Sequence, residues 1–112
     1  MEPYKPAEKM FDSIMQLLGL APKVNFKELV KNGAQIIDVR TPGEFKSGHI
    51  RGAVNIPLQN ISAQLGRIKK DKPVITCCAS GMRSASARSI LISNGFDEVH
   101  NGGGWMSLQG KL

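Results

Sequence analysis

Cysteine is scarce in this chain of 112 residues, and the two that occur, Cys77 and Cys78, are neighbours. Consecutive Cα atoms lie about 3.8 Å apart, closer than an ordinary disulfide spans, so a structural bridge is disfavoured and no disulfide framework exists. Histidine is just as rare: His49 and His100, with two adjacent thiols, lack the spacing of a zinc site. Aromatic residues make up only 5%, and Trp105 and Tyr4 are the sole Trp and Tyr beside four Phe. Because the basic residues are also scattered, neither a stacking platform nor an electrostatic footprint for nucleic acid is present. No stretch approaches the ~18 apolar residues of a membrane span. The N-terminus lacks a basic region followed by an apolar run and a small-residue cleavage site, so a reducing cytoplasm is the expected setting.

What is present suits one compact soluble domain, with 41% hydrophobic and 21% charged residues. The net charge of +6 fits either a well-solvated surface or attraction for a small anion. Residues 1–21 divide into a loose tail, Met1 to Ala7, and an amphipathic helix, Glu8 to Leu18. In that helix Met10, Phe11, Ile14, Leu17 and Leu18 share a face that should pack on the domain, while Glu2, Glu8 and Asp12 disfavour an anionic membrane.

Residues 22–112 read as the domain itself. A very short strand at Val24 precedes a helix around Phe26, Leu29 and Val30, closed by Asn32-Gly33. A strand over Gln35–Val39 leads to a helix over Thr41–Ser47, with Thr41 as N-cap, Pro42 in the first turn and Glu44 completing a capping box. Ala53–Ile56 reads as a strand, Leu58 to Ile68 as a helix, Pro73–Cys77 as the most hydrophobic strand, Arg83–Ser93 as a helix and Asp97–His100 as a last strand. The alternation predicts an α/β fold, a mainly parallel sheet of about five short strands with helices on both faces and an extra N-terminal helix. Ligands of such sheets sit beyond the carboxyl ends of the strands, which is where Cys77 and Cys78 fall.

The segment that follows has a chemical logic of its own. A strand delivers a thiol to a turn in which Ala79, Ser80 and Gly81 let the backbone curl, so that N–H groups point inward as an anion-binding nest. The next helix adds its positive N-terminal end, and Arg83 adds a charge. Both lower a cysteine pKa and so favour the nucleophilic thiolate at Cys78. Cys77 is expected to be the buried, inert one.

Cys78-Ala79-Ser80-Gly81-Met82-Arg83-Ser84 after an apolar strand resembles the active-site loop of single-domain rhodaneses. Ile36 to Phe45 with Gly48 to Pro57 resembles the first signature of that family, and Asn101-Gly102-Gly103-Gly104-Trp105 its Gly-rich segment before a closing helix. The match runs from about Val24 to Leu108. It implies a rhodanese-like fold and a sulfurtransferase that needs no cofactor. In its cycle, Cys78 takes sulfur from thiosulfate or a similar small anionic donor as a persulfide, then gives it to cyanide or a thiol, a protein thiol included. On this resemblance Ala79 to Ser84 bind the substrate, with Arg83 neutralising charge that builds on sulfite. Asp38 and Arg40 share one strand face by alternation and are read as structural, as is His49.

Two alternatives remain. Counted from Cys77 the loop reads Cys-x5-Arg, as in phosphatases and arsenate reductases; counted from Cys78 it reads Cys-x4-Arg. Against the first, no His precedes Cys77 and no separate loop offers a general-acid Asp. The other alternative is a non-enzymatic sulfur carrier or partner-binding module. Donor and acceptor are not written in these residues.

Overall fold

The computed structural model describes residues 23–112, so the expected tail and helix of residues 1–21 lie outside the described residues. Four parallel strands form one sheet in the order β2-β1-β3-β4: β1 Gln35–Asp38, β2 Val54–Asn55, β3 Val74–Cys78 and β4 Val99–Gly104. Helix α1 (Phe26–Lys31) precedes β1, α2 (Pro42–Ser47) joins β1 to β2, α3 (Met82–Ser93) joins β3 to β4, and α4 (Trp105–Gln109) closes the chain.

Strand alternation divides the core into two layers. Ile37, Val39, Val74 and Cys78 pack with Ala87 and Leu91 of α3 on one face, together with Ile61 and Ile68. Ile36, Ile75 and Cys77 pack with Leu108 of α4 on the other, backed by Phe26, Leu29 and Val30 of α1. Helices therefore cover both faces, as the alternation predicts.

Three elements differ from expectation. Val24 lies in no strand, so the sheet has four strands among the described residues rather than about five. The segment from Leu58 to Ile68 is not one α-helix but two 3₁₀ helices, Leu58–Ala63 and Leu65–Arg67, with bonds such as Asn60 N–H to Pro57 O at 2.9 Å and Ile68 N–H to Leu65 O at 3.0 Å. A 3₁₀ helix rises about 2.0 Å per residue against 1.5 Å, so the same residues reach farther across the sheet while Ile61 and Ile68 still enter the core. The last strand starts at Val99 and runs on through the glycines to Gly104.

Close packing explains Gly102 and Gly104 in that run, while Gly103 takes a φ of +79° that other side chains rarely adopt. A Cβ on Gly102 would lie 2.8 Å from Leu108 Cδ2, 2.9 Å from Ile75 Cγ2 and 2.9 Å from Thr76 O, where sheet and closing helix meet. Gly102→Ala is predicted to destabilise the fold by about 1–3 kcal/mol through overpacking, read as a lower midpoint in urea unfolding.

Candidate functional site

β3 and α3 are joined by Ala79-Ser80-Gly81, a turn tight enough that Gly81 takes φ +103°, the left-handed conformation that other side chains rarely adopt. The turn rests on the glycines of β4: a Cβ on Gly81 would sit 3.4 Å from Gly103 Cα, and one on Gly104 would sit 2.9 Å from Ala79 O. Asn101 secures the same junction. Its Nδ2 donates to Gly81 O at 3.1 Å, and its Oδ1 accepts from Ser84 Oγ at 2.7 Å and from Gly103 N–H at 2.9 Å.

The sulfur of Cys78 lies inside this curl. It accepts from Gly81 N–H at 3.0 Å and Ser84 N–H at 3.4 Å, with Ser84 Oγ a further 3.4 Å neighbour. Ala79, Ser80 and Met82 are exposed around it, yet Cys78 itself is 0% exposed. The N–H groups expected to cradle an anionic donor are thus aimed here at the sulfur. Burial pushes the thiol pKa up, but the hydrogen bonds from the backbone N–H groups of Ser84, Gly81 and Ser80 outweigh it and hold the Cys78 thiol below its ordinary value.

Cys77 projects from the opposite face, among Ile36, Ile75 and Leu108. Burial, reinforced by the Asp38 carboxylate, pushes its thiol up to about 12. Of the two adjacent sulfurs only that of Cys78 meets the loop.

The upstream residues hold the neighbouring helix in place. Asp38, fully buried, takes Arg40 Nη2 at 2.7 Å and Nε at 3.0 and 3.1 Å. Arg40 in turn donates to Gly48 O at 2.7 Å and Glu44 O at 3.2 Å, and its guanidinium lies 4.7 Å from the Trp105 ring centre. His49 stacks on Phe45 at 3.7 Å, with Nδ1 2.8 Å from Phe45 O, and so tethers the end of α2.

Arg83 stands on the second residue of α3, and its two Nη atoms bond Glu44 Oε1 and Oε2 at 2.7 and 2.9 Å. Glu44 reads from sequence as a helix cap, and it is one: Thr41 N–H and Oγ1 both donate to Oε1 at 3.1 Å. The second duty toward Arg83, 39 residues away, has no signal in the spacing. Asn101 was visible only as the head of a glycine-rich stretch, and its bond to Ser84 was not. Among the described residues no group of three His, Cys, Asp or Glu side chains is placed to hold a metal, and no helix is long and apolar enough to cross a membrane.

Residues 23–111 match the rhodanese-like domain family. An uncharacterized protein of Bacillus subtilis, YqhL, is 45% identical over 80 residues, which cover 70% of this chain and 64% of that protein. The thiosulfate sulfurtransferase GlpE of Shewanella oneidensis is 36% identical over 67 residues, covering 60% of this chain and 66% of that enzyme. The chain thus aligns to just under two thirds of the length of these relatives. A rhodanese-related protein of Thermoplasma volcanium superposes with a TM-score of 0.65 at 32% identity, over 77% of this chain and 88% of that one.

The two thiols should separate by pH. Iodoacetamide at pH 7 is predicted to label Cys78 and spare Cys77, and the pH midpoint for Cys78 should fall below the ordinary thiol value of about 8.5. The sign follows from the lowered pKa: thiolate persists to lower pH than in a free cysteine. Peptide mass spectrometry across a pH series reads both sites, and a Cys78 midpoint at or above the ordinary value would contradict the hydrogen-bond account.

Proposed function

Because this chain belongs to the rhodanese-like domain family, we propose that it is a thiosulfate sulfurtransferase in which Cys78 carries the transferred sulfur. The observation that supports this most strongly is the pair of backbone N–H groups, from Gly81 and Ser84, converging on the Cys78 sulfur. Such donors stabilise a thiolate and equally the charge that develops as it reacts.

In the proposed cycle the Cys78 thiolate attacks the outer sulfur of thiosulfate. The new S–S bond gives a Cys78 persulfide anion, and the electron pair of the broken S–S bond leaves with sulfite, so charge is conserved. Cyanide or a thiolate then attacks the outer sulfur, forming thiocyanate or a new persulfide and returning Cys78 as thiolate. Ala79 to Ser84 form the binding loop, and the positive end of α3 with Arg83 favours the anionic donor. Asp38, Arg40 and His49 support that loop through α2. No cofactor enters the cycle. A protein thiol is an equally suitable acceptor, and a reducing cytoplasm would keep Cys78 free to react.

The phosphatase reading of Cys-x5-Arg finds little support, because its nucleophile would be Cys77, whose sulfur faces the far side of the sheet and whose thiol is pushed up to about 12 by burial.

Steady-state assay with thiosulfate and cyanide tests the proposal. Thiocyanate should form with wild type and with Cys77→Ser, and production should fall by at least 100-fold with Cys78→Ser, the scale of losing a covalent nucleophile. Hydrolysis of p-nitrophenyl phosphate should be absent from all three. Phosphate release that survives Cys78→Ser and vanishes with Cys77→Ser would reverse the assignment.

A further inference from the structure

Arg83 is the cation that the loop-to-helix junction itself carries, but it is not free. Glu44 grips it in a bidentate pair, and Glu44 is itself held from three directions. Thr41 N–H and Oγ1 fix Oε1 at 3.1 Å, Arg40 Nη1 fixes the backbone carbonyl at 3.2 Å, and Arg40 is clamped by buried Asp38. The carboxylate therefore has little freedom to swing away when an anion arrives. Both members are about one-third exposed, so the pair lies at the protein surface beside the loop, where a donor approaches.

From this geometry we infer that Glu44 is a specificity-determining residue: by cancelling the charge of Arg83 it weakens the site for dianionic donors such as thiosulfate relative to donors of lower charge, such as organic persulfides and thiosulfonates. The inference rests on the sulfurtransferase reading and adds to it a donor class. The physical argument is one of charge. A carboxylate fixed on a guanidinium leaves the backbone N–H groups and the helix end as the attraction for an anion, and these supply only partial charge. Glutamine at position 44 would keep the capping hydrogen bonds and remove the negative charge.

Two donors that react by the same attack separate the effect. Thiosulfate, a dianion, leaves sulfite; methanethiosulfonate, a monoanion, leaves methanesulfinate; each deposits one sulfur on Cys78. Coulomb energy scales with donor charge, so Glu44→Gln should raise kcat/KM about tenfold for thiosulfate and about threefold for methanethiosulfonate. Both gains should come through KM, shrink at high ionic strength and disappear when Arg83→Gln is added. A merely structural role for Glu44 would change both donors by the same factor, or lower thiosulfate turnover, and either result overturns the inference. Should Glu44→Gln fold poorly, Glu44→Ala must show the same ratio between donors.

A second measurement needs no turnover. Sulfate, a dianion without transferable sulfur, should protect Cys78 from iodoacetamide at about tenfold lower concentration in Glu44→Gln than in wild type. If neither donor loads the wild-type protein, the sulfurtransferase reading fails, and sulfate protection still decides the role of Glu44: equal protection in both proteins overturns it.

Discussion

Consecutive side chains of a β-strand point to opposite faces, and that constraint separates the two sulfurs of this protein. Cys77 and Cys78 end the same strand, so one enters the layer beneath α4 and the other the layer beneath α3. Everything that distinguishes them chemically follows. The chain turns at Gly81 on the α3 side, so the loop N–H groups and the start of the helix reach Cys78 alone, while Cys77 meets apolar side chains and the Asp38 carboxylate. Adjacent in sequence, they differ in ionisation because one has hydrogen-bond donors and the other has burial reinforced by a carboxylate.

The turn depends on what lies under it. Gly102 and Gly104 let β4 run close against Ile75 and Ala79, and a side chain at position 104 would press on the loop at Ala79 O. A second support comes from the buried Asp38–Arg40 pair. Burying an ion pair is costly unless its remaining hydrogen bonds are made, and here Arg40 also satisfies Gly48 O and Glu44 O while Asp38 also takes the Arg40 N–H at 3.0 Å. The pair ties β1 to α2, and α2 carries Glu44 to Arg83. Residues that look merely structural from the sequence thus fix the charge beside the nucleophile.

Much of this was legible in the order of residues. Thr41, Pro42 and Glu44 announce α2 because capping is local chemistry, and the small residues around Gly81 announce a turn for the same reason. The two 3₁₀ helices were not legible, since the 3.6-residue rhythm of Leu58, Ile61, Leu65 and Ile68 serves a stretched helix as well as an α-helix. The reach of β4 was also hidden, because glycine disfavours a strand by propensity and only the close approach of Leu108 and Ile75 makes it necessary. The Glu44–Arg83 and Ser84–Asn101 contacts join positions 39 and 17 residues apart, and no local pattern encodes such a pairing.

The central claim is that the loop prepares the sulfur of Cys78, and not that of Cys77, to accept another sulfur. Brief exposure of the intact wild-type protein to thiosulfate without an acceptor, trapping with an alkylating reagent and peptide mass spectrometry would locate the product directly. The account predicts the mass of one additional sulfur at Cys78 and none at Cys77. Added sulfur at Cys77 would contradict it.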